Sequence, residues 1–349
     1  MPSLIYGYGL TGKSFQKYLD IKGENSEIYD ALHNDSLKFA SKIKDGFYKN
    51  IYVSPSVSKE KFRDLKRYSK VITDMDIFFN EDESIKIGIT GTNKKSTICF
   101  HLMQLLEEKY STNLVGNIGK PVLDVLNNGK KYSIIELSSF QLDKVSSIDL
   151  DYGILLNIDS DHLDYHKNIE DYIQSKKRIL EAKKSIQNDD VKIIYKFITG
   201  SSPPKKELKN LPFRFQKINQ NTINDSKSTN FHSLKFALHE ASEIFNHYAL
   251  ILMGNPKKEG YKKIEIANPA LVVICGKYRD EIFSCVKHKN KVLCENLSLA
   301  IKEIKKANIK NILFSPGYPS GDDFINFEER GKACCLLYTS PSPRDQVVS

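Results

Sequence analysis

Short apolar runs that stop at small, polar or charged residues recur along the chain and set out its expected architecture. Leu4-Ile-Tyr6 runs into Gly7-Tyr-Gly-Leu-Thr-Gly12, a helical stretch follows to Leu19, and Ile28-Tyr29 ends at Asp30. Glu81-Asp-Glu83 is a polar break that closes this opening unit. Beyond it the pattern predicts strands over 85–90, 112–116, 132–136, 153–157 and 191–195, with helices over 95–109 and 169–184. Ser201-Ser-Pro-Pro-Lys-Lys206 reads as a loop or linker, and 249–253, 271–275 and 311–314 are strand candidates of a third unit. Alternating strands and helices argue for an α/β chain with mostly parallel sheets, and 349 residues are enough for two or three cores.

The sharpest chemical signal is Ile87-Gly-Ile-Thr-Gly-Thr-Asn-Lys-Lys-Ser-Thr97, an apolar strand entering a polar loop that ends Lys-Ser-Thr. Such a loop can cradle phosphates with the backbone N–H groups of Gly91, Thr92, Asn93 and Lys94, while Lys95 reaches the β/γ-phosphates and the hydroxyl of Ser96 or Thr97 ligates a divalent cation. Lys94 stands where a glycine is usual, at a position that often needs a backbone only glycine adopts freely. The string also suits an ordinary strand-to-helix turn. Three more polar clusters follow apolar runs: Glu136-Leu-Ser-Ser-Phe-Gln141, Asn157-Ile-Asp-Ser-Asp-His-Leu-Asp164 and Tyr172-Ile-Gln-Ser-Lys-Lys-Arg-Ile179. Polar residues at the carboxyl ends of parallel strands read as a site. Near the N-terminus, G-x-G-x-x-G with Asp30 beyond it matches a dinucleotide fingerprint, although a tight structural turn explains the glycines equally well.

Together with Gly116-Asn-Ile-Gly-Lys-Pro121, these clusters resemble in order and approximate spacing the Mur ligases, most of all the MurD type. Asn224-Asp-Ser-Lys-Ser-Thr-Asn230 and Ser315-Pro-Gly-Tyr-Pro-Ser-Gly-Asp-Asp-Phe-Ile-Asn-Phe-Glu-Glu-Arg-Gly331 extend the resemblance into the last third. It implies three domains: a Rossmann-like domain at 1–84 for a UDP-linked substrate, a P-loop ATPase-type central domain with a mostly parallel sheet at 85–216, and a Rossmann-like amino-acid-binding domain at 217–331. It implies an ATP- and Mg²⁺-dependent ligase that joins D-glutamate to UDP-N-acetylmuramoyl-L-alanine in peptidoglycan precursor synthesis. Carried over residue by residue, Lys95 would neutralise phosphate, Ser96 or Thr97 with Glu136 would hold one Mg²⁺, His162 would bind or orient a second, and Lys176, carbamylated in the family, would help hold Mg²⁺. Arg214 and Asp225 would contact ATP. Leu10, Thr11 and Asp30 would meet the UDP moiety; Asn117, Ser138 and Gln141 the sugar–peptide; and Lys227, Thr229, Ser320 and Phe327 the incoming D-glutamate. Read from residue type alone, Glu136 could be a solvated strand-end acid, His162 a helix-start hydrogen bonder, and Lys176-Lys-Arg178 a basic helix face.

Two departures qualify this picture. Only 47 residues separate Lys176 from Asn224, far fewer than the family usually has, and its Gly-x-His-Asn segment has no counterpart. After Gly331 the sequence loses helical periodicity and turns Ser/Pro-rich, so 332–349 is expected to be a non-native or disordered tail. Another Mur or folylpolyglutamate-type amide ligase, and an inactive nucleotide-sugar-binding remnant, are the competing readings. A dehydrogenase would leave the phosphate loop unexplained.

Composition narrows the setting. A net charge of +9 comes from scattered lysines without a nucleic-acid signature, which points to a lysine-rich surface and anionic small substrates. Six cysteines without C-x-x-C spacing read as reduced thiols, and no long apolar run suggests a membrane span or leader. A cytoplasmic monomer with no nucleic-acid or membrane partner is expected.

Overall fold

The computed structural model describes residues 1–30, 36–158, 165, 166 and 168–339. The chain divides into two compact units, Met1–Lys209 and Asn210–Ser349.

The first unit holds two parallel sheets. One is built from β1 (Ser3–Tyr6), β2 (Ser26–Tyr29), β3 (Asn50–Val53) and β4 (Lys70–Ile72) in the order β2-β1-β3-β4. Its helices are α1 (Leu10–Ile21), α2 (Ser36–Lys44), α3 (Lys59–Leu65) and α4 (Asp74–Glu81). The other comprises β5 (Ile85–Thr90), β6 (Thr112–Gly116), β7 (Tyr132–Glu136), β8 (Tyr152–Leu155) and β9 (Lys184–Gln187), ordered β6-β7-β5-β8-β9. Helices α5 (Lys95–Leu106), α6 (Ser139–Lys144), α7 (Ile169–Lys177) and α8 (Val191–Thr199) accompany it. Residue 84 separates these sheets, yet one core joins them: Ile5, Phe15, Tyr52 and Phe78 pack in the same buried cluster as Val115, Ile135, Leu142 and Leu155.

The pattern-based assignments hold for the strands over 85–90, 112–116 and 132–136, and differ at the far edge of the second sheet. The expected strand over 191–195 is the helix α8, and the edge strand is β9. Val191, Ile194, Tyr195 and Ile198 are its buried residues, which is helical spacing, and the Asp190 carboxylate accepts from the Lys192 N–H at 2.7 Å to start the turn. Gly200, at φ 71°, ends it. The expected 169–184 helix stops at Lys177 and passes through a 3₁₀ turn, Arg178–Glu181, into β9.

The second unit is a six-stranded sheet of β10 (Gln216–Asn219), β11 (Thr222–Asn224), β12 (Tyr248–Met253), β14 (Leu271–Cys275), β16 (Lys291–Cys294) and β17 (Asn311–Gly317). Its order is β10-β11-β17-β12-β14-β16, antiparallel only at β10, and β13 (Ile264–Glu265) pairs separately with β15 (Val286–Lys287). Among the described residues, helices α9 (Phe231–Ile244), α10 (Arg279–Cys285), α11 (Leu297–Lys306) and α12 (Phe327–Thr339) accompany it. This unit starts ahead of residue 217 because Phe213 and Phe215 are tied into it: the Phe213 carbonyl accepts from the Lys227 N–H at 2.9 Å, and the Phe215 N–H donates to the Asp225 carboxylate at 3.0 Å. Helix α12 continues past Gly331, where the pattern stopped it, because Cys334 is buried in the core beside Phe314 and Ile301.

The first turn shows how tightly backbone packs here. A Cβ on Gly12 would lie 2.2 Å from the Gly7 carbonyl oxygen, so α1 sits against the β1 turn only because residue 12 is glycine. Gly12→Ala should destabilise the chain by about 2 kcal/mol, read as a lower denaturant midpoint with an unchanged slope.

Candidate functional site

Parallel register brings the chemistry of the first unit together. Ile89 pairs with Glu136, Gly116 with Glu136, and Thr90 with Leu155, so the loops after β5, β6, β7 and β8 leave one edge of the sheet side by side. The loop after β5 is held by Asn157: its carbonyl accepts from the Thr92 N–H at 2.8 Å and its side-chain oxygen from the Asn93 N–H at 2.9 Å. Gly91 admits this approach, since a Cβ there would lie 2.9 Å from the Leu156 Cβ. Lys94 adopts the left-handed conformation, φ 61° and ψ 0°, that the missing glycine would have supplied freely, and its ammonium faces Asp189 at 3.5 Å.

Two ammonium groups meet on one carbonyl. Lys95 Nζ donates to the Gly91 oxygen at 2.9 Å and to that of Thr92 at 3.0 Å, while Lys176 Nζ donates to the same Gly91 oxygen at 2.6 Å. Lys176 is 1% exposed and lies over the Tyr172 ring at 4.9 Å, so it is no basic surface residue. The Tyr172 hydroxyl in turn pairs with Thr92 Oγ1 at 2.9 Å. Glu136, 2% exposed, accepts from Asn117 Nδ2 at 3.1 Å through one oxygen, and among the described residues no donor reaches the other. It is a buried acid rather than a solvated one.

Ser138 and Gln141 form a reciprocal cap on α6: the Gln141 N–H donates to Ser138 Oγ at 3.3 Å, and Gln141 Oε1 accepts from the Ser138 N–H at 2.9 Å. That fixes the Gln141 carbonyl and leaves its amide N–H groups as the donors it can offer. His166, which sequence reasoning passed over, is buried with Nε2 2.9 Å from Ser139 Oγ and its ring edge-on to Tyr172. His162 lies outside the described residues.

In the four-stranded sheet, β2 and β3 flank β1 on opposite sides, which makes the carboxyl ends of β1 and β3 the switch-point crevice. Leu10 is 76% exposed there and Thr11 half-buried beside it. Asp30 Oδ2 accepts from the Tyr8 N–H at 3.0 Å, tying the end of β2 to the glycine turn. Ser54 closes the other wall, donating from Oγ to the Gly7 carbonyl at 2.7 Å.

In the second unit, Asp225 is buried, with Oδ1 accepting from the Phe215 N–H at 3.0 Å and Oδ2 from Ser315 Oγ at 2.9 Å. Burial pushes its carboxyl up to about 7, against the opposing pull of those hydrogen bonds and of the positive charges of Arg214 and Arg330. Lys227 Nζ sits 4.0 Å over the Phe327 ring, so two of the expected amino-acid-binding residues are neighbours. Ser320 is buried and Thr229 half-buried. Arg330 is a buried cation of this unit. Fully buried, it donates to the carbonyls of Ser226 at 2.7 Å and Tyr318 at 3.0 Å and to Ser226 Oγ at 3.1 Å, fixing the ends of β11 and β17. Its place in Phe-Glu-Glu-Arg-Gly was the available signal.

Comparison with known proteins bears on this arrangement. Residues 89–255 match the Mur ligase middle domain. The UDP-N-acetylmuramoylalanine–D-glutamate ligase of Francisella tularensis subsp. novicida (strain U112) is 29% identical over 400 residues, covering 94% of each chain. The chain is similar to the Mur ligases, and the curated relatives it matches along nearly its whole length are of the MurD type. A ligase of the same name from Buchnera aphidicola subsp. Baizongia pistaciae (strain Bp) is 26% identical over 433 residues, covering 96% of each. Because the first alignment runs over 400 positions and the chain has 349 residues, this chain lacks a counterpart for more than fifty of them. The fold agrees with that of a MurF ligase from Thermotoga maritima solved with ADP (TM-score 0.56, 14% identity, 96% of this chain and 93% of that one). A pseudomurein peptide ligase type C from Methanothermus fervidus also agrees (TM-score 0.53, 16% identity, 97% and 100% covered).

Two expected outcomes follow from this geometry. Lys94→Gly should raise stability by about 1 kcal/mol by relieving the left-handed backbone, measured by urea unfolding. Asp225 binds its proton more tightly folded than unfolded, so the stability it confers is complete below about pH 4 and is lost as pH rises through about 7, at up to about 1.4 kcal/mol per pH unit. Buried Asp74, raised to about 6, adds in the same direction. Asp225→Asn should flatten this decline in unfolding experiments run from pH 4 to pH 8.

Proposed function

We propose that this chain uses ATP to join D-glutamate to UDP-N-acetylmuramoyl-L-alanine in peptidoglycan precursor synthesis, acting as a cytoplasmic monomer. The observation that carries this reading is the convergence of Lys95 and Lys176 on the Gly91 carbonyl beside the N-terminus of α5. Two neighbouring cations repel one another, and an anion placed between them relieves that repulsion while the first-turn N–H groups of α5 supply further donors. A triphosphate answers that description.

The donor set also suits Mg²⁺. Among the described residues no donor reaches one buried oxygen of Glu136, and Ser96 presents a buried hydroxyl from the first turn of α5. With His162 these residues would hold the metal, which would supply charge neutralisation at the phosphates, while Lys176, as the ammonium that donates to Gly91, serves the phosphates directly. In the reaction the alanyl carboxylate attacks the γ-phosphorus and displaces ADP. The amine of D-glutamate then adds to the activated carbonyl, phosphate leaves with its bonding pair, and the amine gives up a proton. Lys95 steadies charge on the transferring phosphoryl group, and Asn117 holds Glu136 in place. Asn117, Ser138 and Gln141 are proposed sugar–peptide contacts, and Leu10, Thr11 and Asp30 line the crevice assigned to the UDP moiety. Arg214 and Asp225 are proposed ATP contacts, with Gly91, Thr92, Asn93, Lys94 and Thr97 around the phosphates. Lys227, Thr229, Ser320 and Phe327 are proposed for D-glutamate. Three functional domains go with these roles, the first two dividing near residue 84 and the third beginning near Asn210.

Purified protein should release ADP and phosphate only when ATP, Mg²⁺, UDP-N-acetylmuramoyl-L-alanine and D-glutamate are all present. Lys95→Ala should lower turnover by about 100-fold or more. Undiminished turnover in that variant, or none in folded wild-type protein, defeats the proposal.

A further inference from the structure

Lys144 occupies an unusual place for an amine. It ends α6, the short helix that opens with Ser138 and Gln141, and is only 2% exposed. Its Nζ donates to the backbone carbonyls of Pro55 and Val57, both in the loop after β3. That loop is one wall of the switch-point crevice: the Ser54 N–H donates to the Tyr6 carbonyl at 3.1 Å, and Ser54 Oγ to that of Gly7 at 2.7 Å. A buried ammonium is expensive to desolvate, and burial lowers this one to about 8. The groups around it soften that cost without forming a close ion pair with it: Asp143 from its own helix, Asp74 from α4, and the Tyr165 ring at 5.2 Å.

A second tie runs in parallel. Lys59, at the start of α3 just beyond the same loop, pairs with Asp143 of α6 at 2.8 Å and with Asp171 of α7 at 3.2 Å. The helix α7 carries Tyr172 and Lys176. The wall of the crevice is therefore fastened to the helix that follows Glu136 and to the helix that brings Lys176 to Gly91.

We infer that Lys144 is a positioning residue for the nucleotide-sugar substrate, holding the 54–57 loop so that a ligand seated in the switch-point crevice is aimed at the Glu136 segment. This rests on the reading of the crevice as the UDP-sugar site. A merely structural lysine would lower stability and leave kinetic constants in proportion. A positioning lysine acts selectively on one substrate.

The test compares wild-type protein with Lys144→Met, which keeps the stem and loses the donors, and Lys144→Arg, which restores donors. The KM for UDP-N-acetylmuramoyl-L-alanine should rise about tenfold or more in Lys144→Met, with kcat and the KM for ATP within about threefold, and should recover in Lys144→Arg. Affinity for UDP alone, measured by calorimetry, should fall in parallel. Should methionine prevent folding, Lys144→Gln, too short to reach both carbonyls, replaces it. An unchanged KM and UDP affinity in a folded variant, or equal losses for all substrates, overturns the role. Wild-type protein that binds UDP with Lys144 dependence but turns nothing over would remove the ligase reading and keep the positioning role; wild-type protein that binds no UDP would remove both.

Discussion

The carbonyl oxygen of Gly91 accepts from two lysines, and much of the first unit is arranged to make that possible. Lys95 can fold back onto it because α5 begins directly after the loop. Lys176 can reach it because α7 crosses the same sheet edge, with Tyr172 under its ammonium. The glycine itself is required by the close passage of Leu156 and Asn157, whose backbone and side chain hold the loop. If this is the proposed phosphate site, it would be preorganised, since its lysines stand in place before any ligand arrives.

Parallel topology does the remaining assembly. In both sheets of the first unit, strands leave the central strand on opposite sides, so the functional loops collect at carboxyl ends. The shared core keeps the two edges in a fixed relation, and the Lys144 and Lys59 ties lie along the same route. In the second unit a buried arginine, Arg330, takes over that role for the loops after β11 and β17.

The legible part of the sequence was the part in which polarity changes abruptly. Strand 85–90 and its loop could be read because a run of apolar residues meets Lys-Ser-Thr, and Glu136 because it ends an apolar strand. Less legible were features set by tertiary context. Val191–Thr199 looked like a strand over its first five residues, and only the longer spacing of buried positions identifies a helix. Lys144 and Lys176 look like ordinary surface lysines in sequence, since nothing local records that each is enclosed by distant carbonyls. The strain at Lys94 was visible as a departure from pattern, and its left-handed backbone supplies the physical content.

The most direct test of the paired-lysine cradle is a double-mutant cycle on Mg²⁺–ADP affinity, measured by calorimetry for wild type, Lys95→Met, Lys176→Met and the double variant. If both ammonium groups serve one phosphate site, each single change weakens binding and the losses fail to add, with a coupling of about 1 kcal/mol or more. Additive losses, or ADP affinity indifferent to either lysine, would contradict the account.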